Sequence, residues 1–407
     1  MHSSSKAFRN DRSGMKVLVG HNHYIFKGGE DAAAASEVDL LRRHGHDVVF
    51  WEMTNNDFNA FSPLAKLRHV FSWDWSRASY DQLRKTLRKF RPDIAHFHNT
   101  FFMMTPSVYD ACRDEGVPIV QTLHNFRMLC ANALLFRKGF PCEECMDHGL
   151  RRGIRYGCYH DSRILTWAIV RMLDRHWRQQ TWQKKVDAFI VTSDFAYSRY
   201  VKQGLPVERF FVKPNFLVTD PGERQRDEGY AFYGGRLSEE KGVRTLLHAW
   251  LRLKGIPLVI AGTGPLEEEL RAMAARDPSA QISFTGFLEK EEYLHKLRGA
   301  RCVIIPSECY ENFPVTMVEA FACGIPVVGS RIGSLEGLIK DESNGLLFSP
   351  RSPEGLAFQV NRLFFDEGLA ARLGQEARRS FQALYMAEQN HDRLTEIYRY
   401  AIGRKRG

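Results

Sequence analysis

The chain reads as an α/β protein of two doubly wound parallel-sheet domains in tandem, facing each other across a cleft. Three observations carry that reading. Its 407 residues exceed what one ordinary core organises, so two domains are the expectation. Short β-branched runs alternate with amphipathic stretches throughout, as in parallel βαβ units. The two series of strands are separated by the polar stretch VKPNFLVTDPGERQRDEG (212–229), within which a linker is read.

The first fourteen residues, MHSSSKAFRNDRSG, are polar and lack the apolar segment of a secretory signal. They read as a disordered lead to a protein that stays in the cytoplasm. From Met15 to about residue 215 the strands are KVLVG (16–20), DVVFWE (47–52), DIAHFH (93–98), PIVQTL (118–123) and AFIVTS (188–193). Helices such as EDAAAASEVDLLRRHG and SYDQLRKTLRKF lie between them. The second domain, 216–385, repeats the pattern with YAFYG (230–234), PLVIAG (257–262), QISFTG (281–286), CVIIPS (302–307) and PVVGS (326–330). Helices at about 241–254, 265–276, 289–298 and 315–323 alternate with these strands. The tail is helical from 353, and its last stretch, 386–407, reads as a helix crossing back to brace the first domain.

Composition narrows the function classes. A hydrophobic share of 44% and a charged share of 26% suit a folded soluble protein, and no apolar run reaches the roughly 20 residues that span a bilayer. The net charge of +9 is uneven: residues 1–215 hold 32 Lys+Arg against 22 Asp+Glu, the remainder 25 against 26. The excess peaks at 151–185, where nine basic and two acidic residues are interleaved with Tyr156, Tyr159, Trp167, Trp177 and Trp182. Such a stretch suits anionic lipid headgroups, a phosphorylated carrier or nucleic acid, or is a solvated helix face over core aromatics. No nucleic-acid module accompanies it, so nucleic acid is set aside as a partner. In RILTWAIVRMLDRHW, Leu165, Ala168, Ile169, Met172 and Leu173 share one helical face and Arg171, Arg175 and Arg178 lie largely around another. The apolar face either packs on the first domain or docks on the inner face of a membrane.

In open parallel sheets ligands gather beyond the carboxyl ends of the strands, where helix N-termini favour anions. That rule picks out His21–Asn22 with Gly28–Gly29, then His96, His98 and Asn99, and His124–Asn125 in the first domain. In the second it picks out Gly235–Arg236 with Lys241, Gly262–Thr263–Gly264, Gly286–Phe287–Leu288 and the loop 307–315. Arg236 and Lys241, converging on one cleft, suit a diphosphate, offsetting its charge and stabilising its departure. In PSECYENFPVTMVEAFACG a helix starts near Pro314, with Glu311 just before it and Glu319 inside it. Backbone amides near Phe313 and Val315 can receive an anion or sugar hydroxyls, and Glu319 can accept a pair of vicinal ribose hydroxyls. The bland alternatives are a helix cap for Glu311 and a surface position for Glu319. Flanking Met317, Val318, Ala320 and Phe321 argue against the second, because a buried carboxylate needs a partner. Glu308 reads as solvent-exposed.

The segments GGRLSEEKG, IAGTGP, FTGFL and PSECYENFPVTMVEAFACGIPVVGS, in that order and spacing, resemble the retaining glycosyltransferases of family 4, group 1 type. Their fold is GT-B, a pairing of two Rossmann-like domains. The resemblance runs from KVLVGHNHYIFKGGED through PDIAHFHN and VQTLHNF to NGLLFSP. It implies transfer of a hexose from a UDP- or GDP-sugar to a lipid-linked or polysaccharide acceptor in cell-surface glycan synthesis, with no catalytic metal. It further implies that Glu319 holds the ribose, that Arg236 and Lys241 clamp the diphosphate beside Gly262 and Gly264, and that Phe287 and Leu288 line the base. Glu311, Asn312, Phe313, Pro314 and Val315 would meet the donor sugar, with His124 beside it, and Gly28 and Gly29 would approach the phosphate or the acceptor. The catalytic set so implied is His124, Glu311, Arg236 and Lys241. The family often has His-Asp where this chain has His124–Asn125, so no role needing a carboxylate at that second position carries over. A rival reading is a catalytically inert regulator that binds a sugar nucleotide or glycan on the same scaffold.

Eight cysteines in a cytoplasmic chain argue against structural disulfides. Cys130, Cys142, Cys145 and Cys158 cluster within an insertion at about 126–160, and one C-x2-C pair among them can grip a tetrahedral ion. A structural zinc held by all four thiolates is one expectation, with His148 or His160 able to replace one; a set of free thiols is the other. Cys112, Cys302, Cys309 and Cys323 read as small core residues.

Overall fold

The structure, a computed structural model, describes residues 14–405 apart from 26–27, 63, 65 and 67–71. The polar lead lies outside the described residues except for Gly14, which is exposed.

Burial explains the sequence pattern. In β1 (Lys16–His23) every residue from Val17 to Asn22 is buried, as in a strand covered on both faces. Its companions are β2 (Asp47–Thr54), β3 (Ile94–Phe97), β4 (Ile119–Leu123), β7 (Ala188–Val191) and β8 (Phe210–Val212). Together they form one parallel sheet in the order β2-β1-β3-β4-β7-β8. Between β4 and β7 the chain makes a small hairpin, β5 (Phe136–Arg137) with β6 (Phe140–Pro141). The second sheet is also parallel: β9 (Tyr230–Gly234), β10 (Leu258–Ala261), β11 (Ile282–Gly286), β12 (Ala300–Ile305), β13 (Val327–Ser330) and β14 (Gly345–Phe348), ordered β11-β10-β9-β12-β13-β14. The short edge strands β8 and β14 were not read from the sequence.

Helices cover both faces of each sheet. The last one, Ala387–Lys405, leaves the second domain and lies on the first: Leu394, Ile397, Tyr398 and Ala401 are buried against Val17, Val19, Val120 and Ile190. Leu394 and Ile397 each contribute about 1.5–3 kcal/mol by burial. The chain therefore crosses between domains twice, and the crossings are tied together. The Leu217 amide donates to the Tyr385 carbonyl at 3.3 Å, and Asn390 Nδ2 donates to the Pro214 carbonyl at 2.8 Å.

The helix Arg163–Arg178 packs Ala168, Ile169, Met172 and Leu173 into the first domain's core, with Leu165 partly buried beside them. Its outer side leaves Ile164 78% and Trp167 43% exposed. Among the described residues no helix is long and apolar enough to cross a membrane.

Candidate functional site

Parallel neighbours lie about 4.8 Å apart, so strand order fixes the order of the loops beyond their carboxyl ends. In the second domain these run Gly286–Leu288, Gly262–Gly264, Gly235–Lys241, then Pro306–Pro314. The order reverses between β9 and β12, and that switch point is where an open α/β sheet binds ligands.

Two glycines make the loops stack. Gly262 has φ +133°, and a Cβ there would stand 1.9 Å from the Gly235 carbonyl oxygen. Gly242 has φ +67°, and a Cβ on it would stand 1.8 Å from the Pro306 oxygen. Only glycine lets the turn after β9 press against the end of β12. That approach brings Lys241 Nζ to 2.6 Å from Glu311 Oε1, an oxygen that also accepts from Ser307 Oγ at 2.6 Å. Burial pushes the Glu311 carboxyl up, but the Lys241 charge and these hydrogen bonds outweigh it and hold the group below the usual range. Burial would lower the Lys241 ammonium, and the charge of Glu311 overrides that and raises it. Both are therefore ionised at neutral pH. Arg236 is exposed and makes no ion pair among the described residues, so its guanidinium is available to an anion.

Glu319 lies within the helix Val315–Ala322 and is only 5% exposed. Its partner is the ammonium of Lys290, itself 63% exposed, which periodicity did not reveal. Tyr293 packs beside them and raises its hydroxyl toward Thr316 Oγ1 at 3.4 Å. Leu288 is half-buried and Phe287 stands 72% exposed at the rim. The expectation for Glu308 fails: it is buried, accepting from Thr245 Oγ1 at 2.7 Å with Arg351 at 3.7 Å. The turn that Gly242 forces into place covers it, so Glu308 braces the loop.

In the first domain the polar strand ends form a buried network. Asp31 Oδ1 lies 2.9 Å from both His21 Nε2 and His23 Nδ1, and Asp31 Oδ2 accepts from the Gly28 amide at 2.7 Å. This grip holds the Gly28–Gly29 turn at the start of the helix Gly29–Arg43. His98 Nδ1 and His124 Nε2 share a hydrogen bond of 2.8 Å. Behind them His98 Nε2 and His96 Nδ1 each stand 3.5 Å from Glu37 Oε2, and Lys213 Nζ lies 2.6 Å from Glu37 Oε1. Burial raises the Glu37 carboxyl, but the charges of Lys213 and His98 outweigh it and keep it well below the usual range. Burial, then the neighbouring His98, depresses His124, so this imidazole is neutral at pH 7. Asn22 has a structural job, donating to Asn55 Oδ1 and the Phe101 carbonyl, each at 2.8 Å. Asn125 Nδ2 donates to Glu30 Oε1 at 2.8 Å. Glu30 thus supplies a carboxyl beside the position where a second one had been set aside, and burial lifts it to about 7.

Asn312 joins the two halves. Its Nδ2 donates to the Leu123 carbonyl at 2.9 Å, one residue from His124, and its own carbonyl accepts from Thr192 Oγ1 at 3.4 Å. The loop carrying Glu311, Asn312 and Phe313 therefore seats directly at the end of β4. A cavity of about 50 Å³ opens there, lined by His98, His124, Asn125 and Arg127 among others. The set combines two cations, a paired carboxylate and a neutral imidazole around one cleft.

Cys130, Cys142, Cys145 and Cys158 are all free thiols of the insertion between β4 and β7, and no three of their sulfurs lie within 4.8 Å of one another. Cys112, Cys302, Cys309 and Cys323 are buried core residues.

Comparison with known proteins agrees with this anatomy. The model of the family described as Glycosyltransferase Family 4 matches residues 28–220, and that of Glycosyl transferases group 1 matches 220–380. An uncharacterized glycosyltransferase of Methanocaldococcus jannaschii is 30% identical over 182 residues, 44% of this chain and 46% of that protein. O-antigen chain mannosyltransferase C of Escherichia coli is 29% identical over 173 residues, 42% of this chain and 46% of that protein. The chain thus spans about half the length of these two relatives. Alpha-D-kanosaminyltransferase of Streptomyces kanamyceticus is 27% identical over 267 residues, covering 59% of this chain and 69% of that protein. Among solved structures, Anabaena HepE in complex with UDP and glucose superposes with a TM-score of 0.64 at 16% identity, over 94% of this chain and 98% of that one. Sucrose-phosphate synthase of Thermosynechococcus elongatus gives 0.66 at 16% identity, over the same shares. At such identities the likeness speaks for the fold.

Proposed function

The chain belongs to the group 1, family 4 glycosyltransferases and has their GT-B fold, and from that premise we propose that it is a retaining hexosyltransferase. Its donor is a UDP- or GDP-sugar and its acceptor a lipid-linked or polysaccharide glycan of the cell surface. The observation that carries the reading is the Arg236, Lys241 and Glu311 constellation at the β9/β12 switch point, with Glu319 one helix turn and a half further on.

The chemistry follows from the charges. The diphosphate lies between Arg236 and Lys241, whose positive charge stabilises it as it departs. Glu319 exchanges its exposed Lys290 partner for the ribose hydroxyls. Glu311 and the amides after it hold the sugar, and neutral His124 accepts or donates a hydrogen bond there without adding charge. The bond between the anomeric carbon and the diphosphate oxygen breaks while the acceptor hydroxyl oxygen bonds to that carbon on the same face. The hydroxyl proton passes to the departing diphosphate oxygen, so positioning and electrostatics carry the step. The family resemblance implies no catalytic metal.

A membrane-borne acceptor suits the first domain's outer side. Ile164 and Trp167 project there among Arg151, Arg152, Arg155 and Arg163, a mix that binds anionic headgroups while apolar tips enter the interface. The enzyme then works in the cytoplasm, peripheral at the inner membrane face. Flotation with anionic vesicles tests this, and Ile164→Asp with Trp167→Asp should abolish it.

The decisive experiment is a thermal-shift panel of UDP, GDP, ADP, TDP and CDP and their sugar conjugates, followed by a transfer assay with the selected donor. Stabilisation by one diphosphate with transfer supports the enzyme. Stabilisation without transfer to any glycan acceptor favours the inert regulator, and no stabilisation at all removes the donor site.

A further inference from the structure

The insertion at about 126–160, between β4 and the helix Arg163–Arg178, has little regular structure of its own. Its elements are the two-residue strands β5 and β6 and the helices Glu144–His148 and Arg151–Tyr156. Pieces that short are not stable alone, so side chains must hold them. The four cysteines are placed to do so. The thiols of Cys130 and Cys145 meet in a hydrogen bond, and Cys158 interacts electrostatically with Cys130, Cys142 and Cys145. The Cys130 thiol donates to Asn132 Oδ1 at 3.0 Å and the Cys145 thiol faces the Leu150 carbonyl at 3.9 Å, while the amides of Asn132 and Leu135 point at Cys130 and that of Gly153 at Cys145. Amide donors aimed at sulfur are the surroundings that stabilise a ligating thiolate.

We propose that Cys130, Cys142, Cys145 and Cys158 bind one zinc ion, and that the ion fixes the insertion as a clasp between the two domains. Tetrahedral zinc holds its sulfurs about 2.3 Å from the metal and so about 3.8 Å apart. No three of the sulfurs lie within 4.8 Å of one another, so binding draws Cys142 off the Arg137 guanidinium beside it and Cys158 inward toward the Cys130–Cys145 pair. Each thiol that ligates releases its proton to solvent.

The clasp is visible in what the insertion touches. The Arg351 guanidinium lies 3.7 Å over the Phe140 ring. Glu239 Oε1 stands 3.7 Å from the Cβ position of Gly139, two residues before Lys241. Glu143 reaches Tyr310 of the loop that carries Glu311, and it pairs with Arg199 at 3.2 Å. A rigid insertion thus sets the second domain's rim against His124, whatever chemistry the cleft performs.

The test is metal analysis of the full chain purified from zinc-supplemented medium under reducing conditions without chelator. The expected result is about one zinc per chain, released on titrating the thiols with an organomercurial. Cobalt replacement should give intense tetrahedral bands with sulfur-to-cobalt charge transfer, lost in Cys142→Ser and Cys145→Ser but kept in Cys112→Ser. Folded wild-type protein with neither zinc nor cobalt bands overturns the site. Zinc that persists in both serine variants, or a spectrum of only three thiolates, overturns the four-thiol set. For the clasp, chelation should speed hydrogen exchange in residues 239–242 as well as in the insertion; loosening of the insertion alone overturns that part.

Discussion

Lys241 and Glu311 form an ion pair of 2.6 Å across the switch point between β9 and β12. The family resemblance assigns them to opposite ends of one donor, the diphosphate and the sugar. Their contact makes them one device, in which the acid positions the cation and the cation keeps the acid ionised in a buried place.

Removing the cation should therefore act twice. Lys241→Ala is expected to lower kcat/KM by at least about a hundredfold and to cost roughly 1–3 kcal/mol of stability by leaving Glu311 unpaired. Circular dichroism should stay native. Normal turnover by this variant would show that the clamp is misassigned.

Glu319→Ala should chiefly weaken the donor. A lost charge-assisted hydrogen-bond pair is worth about 1.5–3 kcal/mol, so calorimetric titration with the preferred diphosphate sugar should show roughly ten- to a hundredfold weaker binding. Lys290→Ala is the control, since its ammonium is mostly exposed. Equal affinity in wild type and Glu319→Ala would sink the ribose assignment.

The Glu37–Lys213 pair is buried on both sides, at 4% and 3% exposure. Glu37→Gln strands the ammonium and should destabilise the chain by about 3–5 kcal/mol. The double change Glu37→Leu, Lys213→Met should recover much of that in thermal melts. It should still turn over slowly, because the pair His98–His124 loses the negative charge that stands 3.5 Å behind His98 Nε2. A double variant with full kcat would show that the histidine pair needs no such support.

Glu30 makes stability depend on pH. The unfolded side chain ionises near 4.5 and the folded one near 7, so between those values the folded state alone holds the proton. Stability should fall as pH rises across that window, by at most ~1.4 kcal/mol per pH unit, and level off above it. Glu30→Gln should flatten the difference curve of Tm against pH from 5 to 8. Parallel curves for the two proteins would place the titration elsewhere.

The fold was largely legible because buried parallel strands and amphipathic helices write their periods into the chain. Ten of the strands fall on runs such as VLVG and CVII, while the short edge strands β8 and β14 do not. Glu311 and Glu319 were legible as a spaced pair at a helix start. Their partners Ser307 and Lys290 were not, because nothing in a chain marks which exposed lysine folds over which buried acid. Glu308 was misread for the same reason: its cover comes from Gly242 and Thr245, more than sixty residues away. Glu30 and Glu37 look like ordinary helix-surface glutamates until the helix Gly29–Arg43 is laid on the sheet.

Residue order along the chain sufficed for two doubly wound domains, for their rims of polar strand ends, and for the loop–helix segment that carries Glu311 and Glu319. Those features are local, set by side-chain periodicity and by turns whose backbone only glycine tolerates. Which rim residues touch was decided by tertiary structure. Strand order put β9 beside β12 and so Lys241 beside Glu311, and the last helix returned to the first sheet with Tyr398 at 2.8 Å from His96. Asn312 was seated on β4 by packing of one domain on the other. Contacts between distant segments depend on which buried surfaces fit together, and that fit exists only once the chain has closed on itself.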